Sequence, residues 1–184
     1  LAANLAEFPF WNVDLLDQVK LRAAFGQTGN TAAFGSKFTI FNPIAVGGGL
    51  GIIIGGQRGF PDVEPERATE IEGGFDVSGF DGRANLEFTV YRKVIDDLLL
   101  TREVEPSSGF TLETLNGGQL TNTGFEIGLS LIPVNTRAVR WVTRTNFWTN
   151  EAEVTELTVP SFRALGGGFG NTLGSIQIEE GQSP

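Results

Sequence analysis

Three stretches of this chain carry residue types that could do chemistry. The first is acidic, with Asp62, Glu64, Glu66, Glu70 and Glu72 close together. Paired carboxylates can act as acid and nucleophile on a glycosidic bond, and clustered ones can ligate Ca²⁺. The second is the adjacent pair Asp96–Asp97. The third is G-G-G-L-G-I-I-I-G-G at 47–56, which has the glycine density of a phosphate-binding loop. It lacks the Lys-Ser or Lys-Thr of such loops, and no helical pattern follows it. The chain contains no His and no Cys. That removes the usual general base, the Ser-His-Asp triad, thiolate metal sites and disulfides. Two neighbouring carboxylates do not make a Ca²⁺ cage, and the acids of 62–72 read as charge at the start of a strand. The glycine run reads as a surface loop whose apolar residues pack on another part of the protein or on a partner. No catalytic residue, metal ligand or cofactor site is expected, and the chain is read as not an enzyme.

Its 22 acidic residues outweigh 13 basic ones, for a net charge of −9. A nucleic-acid binder would show a basic stripe instead, so nucleic acid is excluded as a partner. No run of 18 apolar residues could form a membrane-spanning helix. No basic start followed by an apolar run marks a signal peptide in this stretch. The chain begins at Leu1 and ends in Gly-Gln-Ser-Pro, and it is expected to be a piece of a longer protein.

The elements that must position these residues are strands. Gly (25) and Phe (15) are abundant while helix formers are scattered, which is β composition. From Thr123 the chain alternates: Phe125, Ile127, Leu129 and Leu131 fall on one face, Gly124, Glu126, Gly128 and Ser130 on the other. The same period places strands at about 18–26, 68–78, 82–94, 119–132 and 138–150. Leu86, Phe88 and Val90 oppose Glu87. Glu70, Glu72 and Asp76 share the polar face of the second strand. Phe147 opposes Arg140 and Arg144 on the last, whose alternation is the weakest because Val142 and Trp148 fall on its polar side. Period two does not name the solvent on the greasy side: a soluble sandwich and a membrane barrel both show it.

The connections discriminate better. G-F-D-G at 79–82 and P-V-N-T-R at 133–137 are short turns, whereas the links at about 27–67, 95–118 and from Glu151 onward are long. Short and long links alternate, which puts all short turns at one end of an up-and-down sheet and all long loops at the other. Outer-membrane barrels have that layout, with short periplasmic turns and long extracellular loops. Trp141 near the short-turn end, with Tyr91, Phe147 and Trp148 near the long-loop end, fits aromatic girdles at both interfaces.

Several blocks then resemble the C-terminal barrel region of TonB-dependent outer-membrane receptors of the SusC/RagA type. They are V-K-L-R-A-A-F-G-Q-T-G-N at 19–30, F-P-D-V-E-P-E-R-A-T-E-I-E-G-G-F-D at 60–76 and F-D-G-R-A-N-L-E-F-T-V-Y-R-K-V-I-D-D-L-L-L at 80–100. L-N-G-G-Q-L-T-N-T-G-F-E-I-G-L-S at 115–130 and W-V-T-R-T-N-F-W-T-N-E-A-E-V-T-E-L at 141–157 follow in family order. Residues 32–58 match nothing in that pattern, and Phe60 stands where the family has Asn.

The resemblance implies an all-β, antiparallel up-and-down transmembrane barrel of about 22 strands. Residues 1–184 would form part of its C-terminal wall, with the plug and the TonB-contacting segment outside this stretch. It implies a transporter in the outer membrane of a Gram-negative cell that imports oligosaccharides or peptides. A SusD-like lipoprotein would serve as lid and TonB would supply the drive, while the substrate-binding residues stay unknown. Leu86, Phe88, Val90, Phe125, Ile127, Leu129, Leu131 and Phe147 are then expected to face outer-membrane lipid. Glu70, Glu72, Asp76, Glu87, Glu126, Arg140 and Arg144 are expected to face the lumen. Two alternatives remain: a structural barrel in a larger envelope complex, and a secreted β-sandwich that binds glycans.

Overall fold

The computed structural model describes residues 1–7, 13, 15–163 and 177–184. Among these the strands are β1 (Ala2–Asn4), β2 (Leu16–Asn30), β3 (Phe41–Val46), β4 (Gly49–Ile54), β5 (Gln57–Arg58), β6 (Glu66–Gly79) and β7 (Ala84–Asp96). They continue with β8 (Leu99–Glu103), β9 (Leu112–Asn116), β10 (Gly118–Asn135), β11 (Arg140–Leu157), β12 (Phe162–Arg163) and β13 (Gln177–Ile178). No α-helix occurs among the described residues. The main sheet runs β1-β2-β6-β7-β10-β11, so strands adjacent in space follow one another in sequence. It is open: β1 and β11 are its edges. The long strands outrun the alternating stretches that announce them, β11 by seven residues at its far end.

Turn chemistry explains the short connections. After Gly79 the chain holds Phe80, Asp81 and Gly82 at φ of 58°, 56° and 71°, left-handed values that reverse it within four residues. The Asp17 carboxylate accepts a hydrogen bond from the Gly82 N–H at 2.8 Å and pins that reversal. The second turn lies later than its Pro suggests. β10 continues through Pro133 to Asn135, and the reversal is closed by Thr136 N–H donating to the Val139 carbonyl at 2.8 Å. Arg83 supports this end by donating to the carbonyls of Ile132 (3.2 Å) and Pro133 (3.0 Å).

The chain divides into two compact units. The first holds Leu1–Gln27, Thr69–Lys93 and Asn122–Glu151, the second Thr28–Ala68, Val94–Thr121 and Ala152–Pro184. The second unit corrects the expectation of plain loops, because the long links build sheets of their own. Residues 44–56 are not a glycine loop but most of a hairpin, β3 paired with β4 from Phe41↔Ile54 to Val46↔Gly49. Gly47 and Gly48 turn it at φ of 57° and 85°, which two successive glycines accept without strain. β5, β9 and β8 form a second small sheet, with β5–β9 parallel and β8–β9 antiparallel. The third long link is described only in part; β12 and β13 pair within it.

Among the described residues the buried apolar ones are Val63, Leu100, Leu115, Val154 and Ile178, and these five belong to the second unit. The chain exposes 12978 Å². A compact soluble monomer of the same 19.8 kDa would expose about 8,600 Å².

Candidate functional site

The first unit is a wall with two chemically distinct faces. One face is fixed by a row of rings on four adjacent strands: Phe75 on β6, Phe88 on β7, Phe125 on β10 and Phe147 on β11. Their centroids lie 5.3, 6.2 and 5.8 Å apart in that order. Alternation then sets Leu86 and Val90 beside Phe88, and Ile127, Leu129 and Leu131 beside Phe125. All eight residues expected on the greasy side therefore share one face. None of them is buried: Phe147 is 55% exposed and Leu129 37%.

This face has an edge. On the loop side the apolar positions give way to Thr69 on β6, Arg92 on β7, Thr123 on β10 and Thr149 on β11. The step from ring to edge shrinks from six residues on β6 to four on β7 and two on β10 and β11. A shift of about four residues is about 14 Å along the strands, accumulated over three strand spacings of about 4.8 Å. The apolar band thus crosses the strands at about 45°, the tilt typical of strands in membrane barrels. β11 is the weakest part of the band, with Thr143 and Thr145 between Trp141 and Phe147.

The other face is polar and partly paired. Arg22 donates through Nε to Asp76 Oδ1 at 3.0 Å and through Nη2 to Thr89 Oγ1 at 3.2 Å, tying β2, β6 and β7 together. Lys93 Nζ stands 4.0 Å from Glu70 Oε2. Glu72 lines a shallow cavity with Arg22 and Gly74. Glu87 and Glu126 line a second, of about 340 Å³, with Asn146 and Trp148. Arg140 and Arg144 share this face with Asn146 by alternation but make no ion pair among the described residues. β11 is an edge strand, so side chains on it have cross-strand neighbours on one side only.

The aromatics expected at the long-loop interface do not form an outward girdle. Tyr91 is not part of an outward girdle. It lies on the polar face, its hydroxyl donating to Asn150 Oδ1 at 3.1 Å, with the ring over Gly124. A side chain at Gly124 would collide with the Tyr91 hydroxyl and the Thr149 carbonyl. Trp148 lies on the polar face, where its parity put it, and Phe147 sits mid-strand in the ring row rather than at a strand end. The pairing Tyr91–Gly124 had a sequence signal, a glycine inside a strand pattern, which marks close approach of another group.

The second unit contains a charge cluster that the sequence did not single out. Glu113 is 7% exposed. It accepts from Arg102 Nη2 at 3.1 Å, its register partner on β8, and Arg58 Nη1 on β5 lies 3.7 Å away. Arg58 also stacks over Phe110, 5.7 Å from the ring centroid. Beside it Thr114 bonds Thr101 (2.9 Å) and Gln57 (3.1 Å). Of the acids of 62–72, Glu66 has a structural role here: it accepts from Asn30 at 3.0 Å and from the Leu99 N–H at 2.9 Å. Asp96 accepts from Gln119 at 2.7 Å. Among the described residues no group of three or more potential ligands could hold a metal ion.

A two-faced strand wall with a tilted apolar band has a counterpart among known families. The model of TonB-dependent receptor-like β-barrels matches residues 5–177. The chain belongs to the TonB-dependent receptor β-barrel family. It is 29% identical to TonB-dependent receptor P39 of Formosa agariphila over 94% of this chain and 16% of that receptor. It is 27% identical to TonB-dependent receptor P3 of the same organism, over 75% of this chain and 14% of the other. The chain thus spans under a fifth of the length of these relatives. Among solved structures it resembles the RagAB peptide importer in its "closed-closed" state, with a TM-score of 0.83 and 20% identity over 98% of this chain and 20% of that one. A structure of the RagAB peptide transporter aligns with a TM-score of 0.79, 20% identity, 90% coverage of this chain and 19% of that one. These likenesses establish the fold: all-β, mostly antiparallel, part of a larger barrel.

Proposed function

We propose that this segment is part of the wall of an outer-membrane TonB-dependent transporter of the SusC/RagA type, importing oligosaccharides or peptides. The observation that carries the reading is the exposed ring row on one face, set against ion pairs and polar cavities on the other. In water such an apolar face would be covered, whereas in a bilayer lipid covers it and no protein partner is needed. Leu86, Phe88, Val90, Phe125, Ile127, Leu129, Leu131 and Phe147 face lipid. Glu70, Glu72, Asp76, Glu87, Glu126, Arg140 and Arg144 face the lumen. The protein moves solutes rather than converting them.

The β3–β4 hairpin supports a lid. Phe41, Ile52, Ile54 and Leu50 lie on one of its faces and are 62%, 73%, 47% and 87% exposed. An apolar patch of this kind on a loop-derived hairpin marks a protein-binding surface, and a SusD-like lipoprotein is the partner we assign to it.

The chain has no cysteine, which suits labelling of the full receptor once any cysteines elsewhere are replaced. Ile127→Cys should resist a charged, water-soluble maleimide and react with a lipid-soluble one, while Glu126→Cys should react with the water-soluble reagent. Equal reaction of both with the charged reagent would sink the assignment of faces. Loss of growth on oligosaccharides or peptides when the gene is deleted distinguishes a transporter from a purely structural barrel, whose deletion would leave uptake intact.

A further inference from the structure

The β3–β4 hairpin has two edges, and they differ. The Gly55 N–H donates to the Ile40 carbonyl at 2.7 Å, which makes these two a hydrogen-bonded pair one step beyond Phe41↔Ile54. Bonded and non-bonded pairs alternate along an antiparallel ladder. Asn42↔Ile53, Ile44↔Gly51 and Val46↔Gly49 are therefore bonded pairs too. The residues between them turn their main-chain groups away from the partner strand. On β3 these are Phe41, Pro43 and Ala45, and on β4 they are Leu50, Ile52 and Ile54. Pro43 has no N–H and sits in the middle of its edge, so β3 is a poor template for a further strand. β4 offers three outward N–H groups in a row, and none has a main-chain partner among the described residues. Natural proteins blunt an open edge with charge, proline or a bulge. No charged residue lies between Lys37 and Arg58, so β3 is blunted and β4 is not.

The long links already show how they meet one another. β5, from the link after β2, pairs in parallel with β9, from the link after β7. β12, from the link after β11, lies beside β8. Links that are neighbours around the sheet thus join through strands of their own. In a closed barrel the link after β2 has two neighbours. One is the link after β7, already joined through β5. The other belongs to the strand on the far side of β2. That strand is β1, antiparallel to β2 and so directed towards the short-turn end. In an up-and-down barrel such a strand descends from a long loop. The chain spans under a fifth of the length of its relatives, and this loop belongs to the part of the receptor that precedes β1. We infer that the outer edge of β4 pairs with an extended segment of that upstream loop, through the main-chain groups of Leu50, Ile52 and Ile54. The loop sheets then run on from one long link to the next around the mouth of the barrel. Pairing at the edge leaves the face of Phe41, Leu50, Ile52 and Ile54 open, so the hairpin meets a lid as a fixed rim. The inference rests on the barrel reading and is independent of what the receptor imports.

The test is hydrogen exchange read residue by residue by fragmentation mass spectrometry, on the full receptor in detergent with neither lipoprotein nor substrate present. The amides of Leu50, Ile52 and Ile54 should exchange at least about a hundredfold more slowly than that of Ala45 on the blunted edge. Replacing the upstream loop with a short Gly-Ser linker should bring them to the Ala45 rate while β8 and β9 keep their protection. Ile52→Pro tests the pairing from the other side. It removes an outward N–H at a position that makes no bond to β3, as Pro43 does opposite it. The hairpin should stay folded while the upstream loop loses protection. Free exchange at Leu50 and Ile52 in the intact receptor would overturn the proposal. So would protection that arises only when the lipoprotein or a peptide is added, or that survives removal of the upstream loop, since another occupant would then hold the edge. The wall is read separately: reaction of Ile127→Cys with the charged maleimide would sink the assignment of its faces whatever the exchange at β4.

Discussion

Phe147 and Val154 lie on the same strand, β11, seven residues apart. Phe147, in the wall unit, is 55% exposed; Val154, in the loop unit, is fully buried. The same contrast holds for charges. In the wall, Asp76 meets Arg22 with side chains 29% and 38% exposed, and in the loop unit Glu113 meets Arg102 at 10% and 27%. The loop unit holds a small apolar core and a sheltered ion cluster. The wall has neither. Its apolar groups line one face and stay at least partly exposed, with the ring row of Phe75, Phe88, Phe125 and Phe147 running across four strands. A single strand such as β11 thus carries an exposed apolar residue in one unit and a buried one in the other.

Leu129→Arg in the full receptor should break the wall half of the contrast most strongly. Near the bilayer midplane it should cost about 2–4 kcal/mol of folding free energy in phospholipid vesicles. With lipid on this face, Leu129→Ala should cost far less, since fluid hydrocarbon follows a shortened side chain and leaves no fixed cavity. Urea titration of vesicle-inserted receptor gives both numbers. A neutral Leu129→Arg would mean that the face meets water.

Glu113→Ala should act on the other half. It leaves Arg102 and Arg58 close together without their shared carboxylate. A fully buried pair broken in this way costs about 3–5 kcal/mol, and the half-exposed Arg58 reduces the expectation here to about 2 kcal/mol. The loss should stay local. Hydrogen exchange should rise in β8 and β9 while the wall strands keep their protection. Equal loosening of both units would show that they unfold together.

Strand periodicity made the wall legible from sequence. Alternation in 119–132 and 82–94 identifies the face of every apolar residue, and family-like blocks at 60–76 and 80–100 name the architecture. The loop unit was far less legible. Phe41–Ile54 is apolar on both faces of its hairpin, so it has no period to detect, although Gly47-Gly48 between apolar runs was a usable turn signal. Glu113, Arg102 and Arg58 come from three separate strands, and only the pairing of β5, β9 and β8 brings them together. Tyr91 was misjudged because its aromatic type suggested an interface girdle while its parity, shared with Glu87 and Thr89, already put it on the polar side.

Two glycines sharpen the contrast between the faces. Gly124→Ala should cost about 1–3 kcal/mol by overpacking against Tyr91. Tyr91→Ala in the same molecule should recover part of that loss, leaving the collision with the Thr149 carbonyl. Gly73→Ala, with open space on the opposite face, should leave stability within about 0.5 kcal/mol. A penalty at Gly73 as large as at Gly124 would mean that protein covers this face.

The smallest expected effect tests how dry the polar face is. Asp76→Asn removes the charge that faces Arg22 while keeping the shape. At the exposures seen in this wall, such a pair contributes about 0–1 kcal/mol, and salt screens it further. Glu113→Gln is the same chemical change in a sheltered place, and it should cost more and respond less to salt. Measuring both at low and high ionic strength turns the comparison of the two units into a single ratio. A water-filled lumen keeps Asp76→Asn small and salt-sensitive. If the rest of the receptor fills the lumen and excludes water at Asp76, the two substitutions converge, because the dielectric around the pair, and not its geometry, sets the cost of leaving Arg22 alone.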